Sequence, residues 1–363
     1  MKIGKSYGYP ILLAGLAYVS CLWGYLLFQP LIRESNGTET NTSAALYSTE
    51  EQLAILQNFP KLYQALEEPK AQQLFIIPGL LTTKTLSSNQ NQTASVCNEM
   101  DQQGVAVTEN YLIVSAYCHD KKHNSVLYVL DKSSGSYLKT IVLQGKPHVG
   151  GISYDSEFQN LWICARKDNQ AQLAAVQLRN LEAYDFSKSS QPIAYDQSVL
   201  LPEIKRASFV TWHQQHLYVG YFDENRDGVI EKYALDNRGA FKTGSQGQIH
   251  VKHKTKISPI QSALIDQRIQ GAAFYKDYLL LSQSNGGRNP SKLIILEDYV
   301  EGEVFIDQET APSIDMPERM EQIASDGKYL YTVYESSSSF FRKFTRNKVD
   351  RVLKLELSEL IKK

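Results

Sequence analysis

The sequence is short of several things, and each shortage excludes a class of protein. Four Cys and four Met in 363 residues exclude a disulfide-built scaffold and a methionine-lined adaptable groove. Neither sign of charge dominates. Lys plus Arg is 38 against 39 Asp plus Glu, a net charge of −1, without the basic excess that nucleic-acid binding needs. No G-x-S-x-G elbow, Walker loop or H-E-x-x-H helix occurs, so no familiar motif marks the chain as an enzyme. Long apolar runs are also missing, with one exception near the N-terminus. Hydrophobic residues still make up 42% of the chain, enough for a packed core.

The exception is Tyr9 to Ile32, which contains no Lys, Arg, Asp or Glu. About 20 apolar residues span a bilayer, so this stretch predicts one transmembrane helix. Lys2 and Lys5 precede it, and after Arg33 no Lys or Arg follows until Lys61. The positive-inside rule then places residues 1–8 in the cytoplasm and the remainder outside. A cleaved signal peptide would have a shorter apolar region ending in small residues, whereas this one ends Phe28-Gln29-Pro30-Leu31-Ile32. Residues 33–72 read as a linker and stalk. A polar Ser/Thr/Asn stretch leads to a capping box at Ser48 and Glu51, and Leu53, Leu56, Leu62, Tyr63 and Leu66 mark a helix face interrupted by Pro60.

Residues 73–363 carry a divergent repeat. GVAVTENYLIVSAY from Gly104, GISYDSEFQNLWICAR from Gly151, FVTWHQQHLYVGYF from Phe209, GAAFYKDYLLLSQS from Gly271 and QIASDGKYLYTVYES from Gln322 share one pattern. Each has a short strand, a polar turn and an alternating aromatic-aliphatic strand, and most are followed by a third. Four-stranded units repeating at this length predict an all-β fold, a β-propeller of five blades, with room for a sixth. The fifth unit lacks an outer strand, which LFIIPGLLTT from Leu74 is expected to supply, closing the ring.

Gln103-Gly104 ahead of YLIVSAY, the YVLD strand, and His148-Val149-Gly150-Gly151 resemble a group of secreted or membrane-anchored bacterial β-propeller proteins. Met320-Glu321 followed by YLYTVYESSSSFFRK is similar to that group's last blade. The resemblance covers roughly Cys97 to Leu357 and implies fold and an extracytoplasmic location, but no activity. A weaker likeness to NHL and quinoprotein-like propellers lacks the tryptophan docking motif, which argues against a pyrroloquinoline cofactor.

Propeller topology brings the start of each innermost strand and the loop between strands two and three to one face. That face is expected to carry Gln103, His148, Gln270, Arg288 and Glu321 as ligand-binding residues. Asp223, Asn225, Asp227 and Glu231 in D-x-N-x-D-G-x-x-E offer oxygens for a structural Ca²⁺, though the position of an EF-hand's last ligand is Ala234. His119 and His123 sit four apart in a predicted loop, a poor zinc pair with two Lys between them. Cys97 and Cys118 flank the first strand pair and would close a loop of roughly 20 residues, worth about 3 kcal/mol if bridged.

The reading that follows is an anchored extracytoplasmic binding or scaffolding module whose partner is an envelope protein or glycan. The alternative is a hydrolase or lyase acting on an envelope glycan or polymer, with His148, Glu321 and Glu335 as acid/base candidates. The anchor is tested by membrane fractionation. The full chain should resist extraction by salt and alkali, and deletion of residues 1–32 should move it to the soluble fraction. A full-length chain soluble without detergent would overturn the expectation.

Overall fold

The computed structural model describes residues 45–66, 74–89, 91–241, 248–251, 254–297 and 310–362. The predicted transmembrane segment and most of the linker lie outside the described residues. No helix among the described residues is long and apolar enough to cross a membrane.

Two short helices, α1 (Thr49–Leu56) and α2 (Pro60–Gln64), open the described chain. The Ser48 side chain accepts the Glu51 N–H while the Glu51 carboxylate accepts the Ser48 N–H, the reciprocal cap read from sequence. Pro60 begins α2, where its missing N–H costs nothing. Strand β1 (Leu74–Ile76) and the hairpin β2 (Thr83–Leu86) and β3 (Ala94–Cys97) follow.

The first blade is β4 (Met100–Val107), β5 (Tyr111–Cys118), β6 (Val126–Asp131) and β7 (Tyr137–Val142), in sequential antiparallel order. The second is β8 (Ile152–Asp155), β9 (Asn160–Lys167), β10 (Gln170–Gln177) and β11 (Gln197–Leu201). The third is β12 (Phe209–His213), β13 (His216–Tyr221) and β14 (Gly228–Ala234), completed by β17 (Gln261–Ile265) after the intervening hairpin β15 (Gln248–Val251) and β16 (Lys254–Ile257). That hairpin extends the second blade instead, β16 running parallel to β11. The extra length read as room for a sixth blade is spent there. The fourth blade is β18 (Ile269–Tyr275), β19 (Tyr278–Gln283), β20 (Ser291–Leu296) and β21 (Ser313–Met316). The fifth is β22 (Met320–Ser325), β23 (Tyr329–Tyr334) and β24 (Arg351–Glu356), with β1 as its outer strand, Leu74 opposite Leu353. The ring is five-bladed and closed by the N-terminal strand, as the repeat predicts.

Alternation explains why single blades cannot stand alone. In β5, Leu112, Val114 and Ala116 enter one core while Ile113 and Tyr117 enter the next. In β9, Trp162 and Cys164 face the third blade while Leu161 and Ile163 face the first. Both faces of each sheet are apolar, so each must be covered by a neighbour. Between the fourth and fifth blades, Leu56, Phe59, Leu62 and Leu66 join the core, so α1 and α2 pack on the propeller.

The N-terminal segment is also held by charge. Asp350 accepts the N–H groups of Leu46 and Tyr47 at 2.7 and 3.0 Å, and Arg351 donates to Asp350, Thr49 and the Tyr47 carbonyl. The pair is buried, with its polar atoms engaged by the chain it anchors.

On the ring axis, the Gln322 carboxamide accepts the N–H groups of Val105 (3.1 Å) and Ile152 (2.9 Å). It donates to the carbonyls of Ile152 (2.9 Å) and Val210 (2.7 Å). One side chain of the fifth blade thus joins the first, second and third. Close approach requires glycine: a Cβ on Gly104 would lie 2.9 Å from Gln322 Oε1, and one on Gly271 2.9 Å from Gln322 Cα. Gln322→Met keeps the volume but strands buried backbone groups, so it should cost about 2–4 kcal/mol in denaturant unfolding. Unchanged stability would show that these bonds do not hold the ring.

Candidate functional site

Gln322 lies between two cavities that open on opposite faces. One, of about 410 Å³, is lined by the turns at Thr108-Glu109 and Asp326-Gly327, together with Trp212, His213 and Phe274. The other, of about 800 Å³, holds Gln103, His148, Gln270 and Glu321, with Glu335 and Tyr117. It also receives Lys121 from the loop after β5, Arg166 from the end of β9, and Asp168 and Asn169 from the turn after it. The face expected from topology is therefore a physical concavity. Its volume is in the range of small-molecule sites.

Backbone irregularity aims the floor residues. The register shifts between Gln102 and Val105 in β4, between Ile269 and Gly271 in β18, and between Met320 and Ile323 in β22. A bulge re-aims a side chain out of the strand's alternation. Here three bulges present Gln103, Gln270 and Glu321 to the same cavity.

The floor is a hydrogen-bonded set of two carboxylates. Gln270 donates to Glu321 at 3.1 Å and Gln103 to Glu335 at 3.1 Å. Arg319 donates to the other Glu335 oxygen at 2.9 Å and to Thr345, and its guanidinium lies 4.2 Å from the Phe341 ring centroid. Beside them, His119 pairs with buried Asp101 at 2.6 Å and stacks on Phe340. Burial raises the Glu321 carboxyl well above its ordinary value, and the Glu335 charge adds to the rise. Glu335 is pushed up to about 7, burial outweighing the pull of Arg319.

His148 is exposed to the cavity, and its ring stacks on Tyr117 with centroids 4.3 Å apart. The enclosing walls, then the charges of Lys121 and Arg206, hold its imidazole below the usual value, favouring the neutral ring. The Lys121 ammonium sits 3.6 Å from the Tyr117 ring centroid. Lys121, Lys146, Arg166 and Arg206 are exposed around the mouth, so the cavity has a basic rim above an acidic and amide floor.

Arg288 is not brought to this site. It is exposed on its loop and does not line the cavity. In the proposed calcium loop, Asp223 accepts the N–H groups of Asn225 and Arg226 and the Tyr221 hydroxyl. Glu231 lies in β14, buried, where its carboxylate accepts the Tyr233 hydroxyl. Asp223, Asp227 and Glu231 do not meet as a three-oxygen cluster among the described residues. His119 and His123 point to different partners, Asp101 and Cys118. Cys97 and Cys118 are neighbours with free thiols, 2.9 Å apart. Sequence reasoning missed Arg319, Asp101, Tyr117 and Arg206, whereas the segment from Arg166 to Asn169 was expected on this face and lines the cavity. The signal available for Arg319 was its place two residues before Glu321.

No protein-family model matches the sequence, and no curated protein is significantly similar to it. Solved structures match it at low identity. Hydrazine synthase of Kuenenia stuttgartiensis is 11% identical with TM-score 0.35, over 74% of this chain and 78% of that one. U3-55K is 10% identical with TM-score 0.39, over 80% and 93%. An oxidoreductase of the glucose dehydrogenase type from Thermus thermophilus is 12% identical with TM-score 0.41, over 73% and 89%.

The floor carboxyls make stability pH-dependent. A free glutamate releases its proton near 4.5, whereas folded Glu335 holds it to about 7. The stability this proton contributes is full below about 4.5 and is lost as pH rises through about 7. Glu321, raised in the same sense, adds to that loss. Urea unfolding across this range should show wild-type stability falling with pH relative to Glu321→Gln/Glu335→Gln. Parallel profiles would refute the assignment.

Proposed function

We propose that the chain is a membrane-anchored extracytoplasmic binding module whose 800 Å³ cavity takes a polar, hydroxyl-rich ligand bearing a negative charge, such as an anionic saccharide of the cell envelope. The observation that carries this reading is the layered chemistry of one cavity. Carboxylates and carboxamides on the floor pair with hydroxyl donors and acceptors. Tyr117 and Phe341 supply aromatic surface, and the rim of Lys121, Lys146, Arg166 and Arg206 favours an anion. The propeller fold is compatible with such a module, and the uncharged segment 9–32 supports an anchor.

A second reading, turnover of an envelope glycan or polymer, is favoured by the raised carboxyl pair. A protonated Glu321 or Glu335 would be a candidate acid, and neutral His148 a candidate base. A structural Ca²⁺ at Asp223, Asn225, Asp227 and Glu231 remains part of the proposal, and requires Glu231 to leave Tyr233.

Binding of an oligosaccharide panel to the full chain in detergent, followed by mass spectrometry of the recovered sugars, tests both. We expect anionic members to be retained intact. Arg166→Ala/Arg206→Ala should weaken binding roughly tenfold or more, the scale of losing desolvated charge-assisted bonds. Cleaved sugar that disappears in Glu335→Gln would replace the binding reading with the enzymatic one. Equal retention of neutral and anionic members would refute the rim's role.

A further inference from the structure

The loop between β5 and β6 gathers donors away from the cavity floor. Cys118 ends β5 and Cys97 ends β3, both buried. With His123, they place two sulfurs and one imidazole nitrogen within 4.8 Å of one another, the one such cluster of three among the described residues. His123 Nδ1 is 3.2 Å from Cys118 Sγ, and its Nε2 is 3.2 Å from the Ser95 hydroxyl, which fixes the ring with Nδ1 toward the sulfur. Asp120 Oδ1 lies 2.8 Å from the same sulfur, and the Glu99 N–H points at Cys97 Sγ at 3.4 Å.

We propose that Cys97, Cys118 and His123 bind a zinc ion, with Asp120 beside them for the fourth position. Thiolate and imidazole donors from a tight hairpin loop and a neighbouring strand are the ligand set zinc prefers. A disulfide would account for the two cysteines alone. It would leave unexplained why an imidazole, oriented by its own outer partner, and a carboxylate converge on the same sulfur. The sulfurs are 2.9 Å apart, and tetrahedral zinc would part them to roughly 3.8 Å by small side-chain rotations.

The ion's role would be structural. The hairpin of β2 and β3 is a separate two-stranded sheet, joined to the first blade's loop by backbone bonds between Ser88 and Lys122 and between Asn124 and Leu86. Zinc would fasten β3 to that loop directly. It would also fix Lys121, which lies between two of the donor residues and lines the cavity rim.

The test uses the full chain purified with a non-thiol reductant. Metal analysis should find stoichiometric zinc. Replacement by Co²⁺ should give the ligand-field bands of a tetrahedral site and a thiolate charge-transfer band in the near ultraviolet. Cys118→Ser should lose that band. Because buried Cys118→Ser has its own folding risk, His123→Gln, at a partly exposed position, serves as second variant. With an unchanged circular dichroism spectrum, it should bind Co²⁺ at least about a hundredfold more weakly, the upper end of what outer-shell partners alone cost. A reduced wild-type chain showing neither zinc nor Co²⁺ bands would overturn the proposal. So would a Cys97–Cys118 disulfide persisting in zinc-replete, non-reducing buffer, or a folded His123→Gln that binds Co²⁺ like wild type.

Discussion

The Gln322 carboxamide is the interaction on which this propeller turns. A carboxamide carries both donors and acceptors, so one side chain satisfies N–H groups on two blades and carbonyls on two. A carboxylate at this place could only accept, and an aliphatic side chain would leave buried backbone groups unpaired. Five blades make a narrow ring, and their innermost strands approach so closely that Gly104 and Gly271 sit against Gln322. With the axis filled this way, each face of the channel is left with its own cavity.

That constraint shapes the chemistry on the side of the larger cavity. Residues next to the axis are pulled out of register, and the bulges that relieve the crowding turn Gln103, Gln270 and Glu321 toward the cavity. Two glutamates then share one dehydrated floor. Arg319 bonds directly to Glu335 and acts on Glu321 through its charge, while Glu321 accepts the Gln270 amide. Burial is the main reason both carboxyls rise, and neighbouring charge adds to it, from Glu335 on Glu321 and from Asp101 on both. The raised carboxyls at the base and the cations at the mouth are the features on which the proposal of an anionic, hydroxyl-bearing ligand rests.

Much of the architecture was legible in the sequence because the signals were local. Alternation in YLIVSAYC and NLWICARK marks strands buried on both faces, and the missing outer strand of the last unit points back to Leu74. The face of the ring followed from the same strand order, which placed Gln103, His148, Gln270 and Glu321 together. Arg288 was misplaced because a loop's direction is set by tertiary contacts. Gly287 packs against the Phe344 carbonyl, and Arg288 beside it is exposed and outside the cavity lining. Arg319, Asp101 and the pairing of His123 with Cys118 were hidden for a related reason. Each depends on a partner brought close by the fold, and spacing along the chain favoured His119 with His123 instead.

Closure of the ring and formation of the cavity are one event. Every blade contributes to the cavity wall: Gln103 from the first, Arg166 from the second, Ser208 and Phe222 bordering the third, Gln270 from the fourth and Glu321 from the fifth. Such a wall exists only when the last blade meets the first, and that meeting needs strands from opposite ends of the chain, β1 against β24. The buried Asp350–Arg351 pair secures the same junction by holding residues 46–49 to the final strand. Removing either partner would leave the other charge buried and uncompensated. A disturbance at this seam would therefore reach the cavity through loss of the ring geometry, although none of its residues lines the cavity wall.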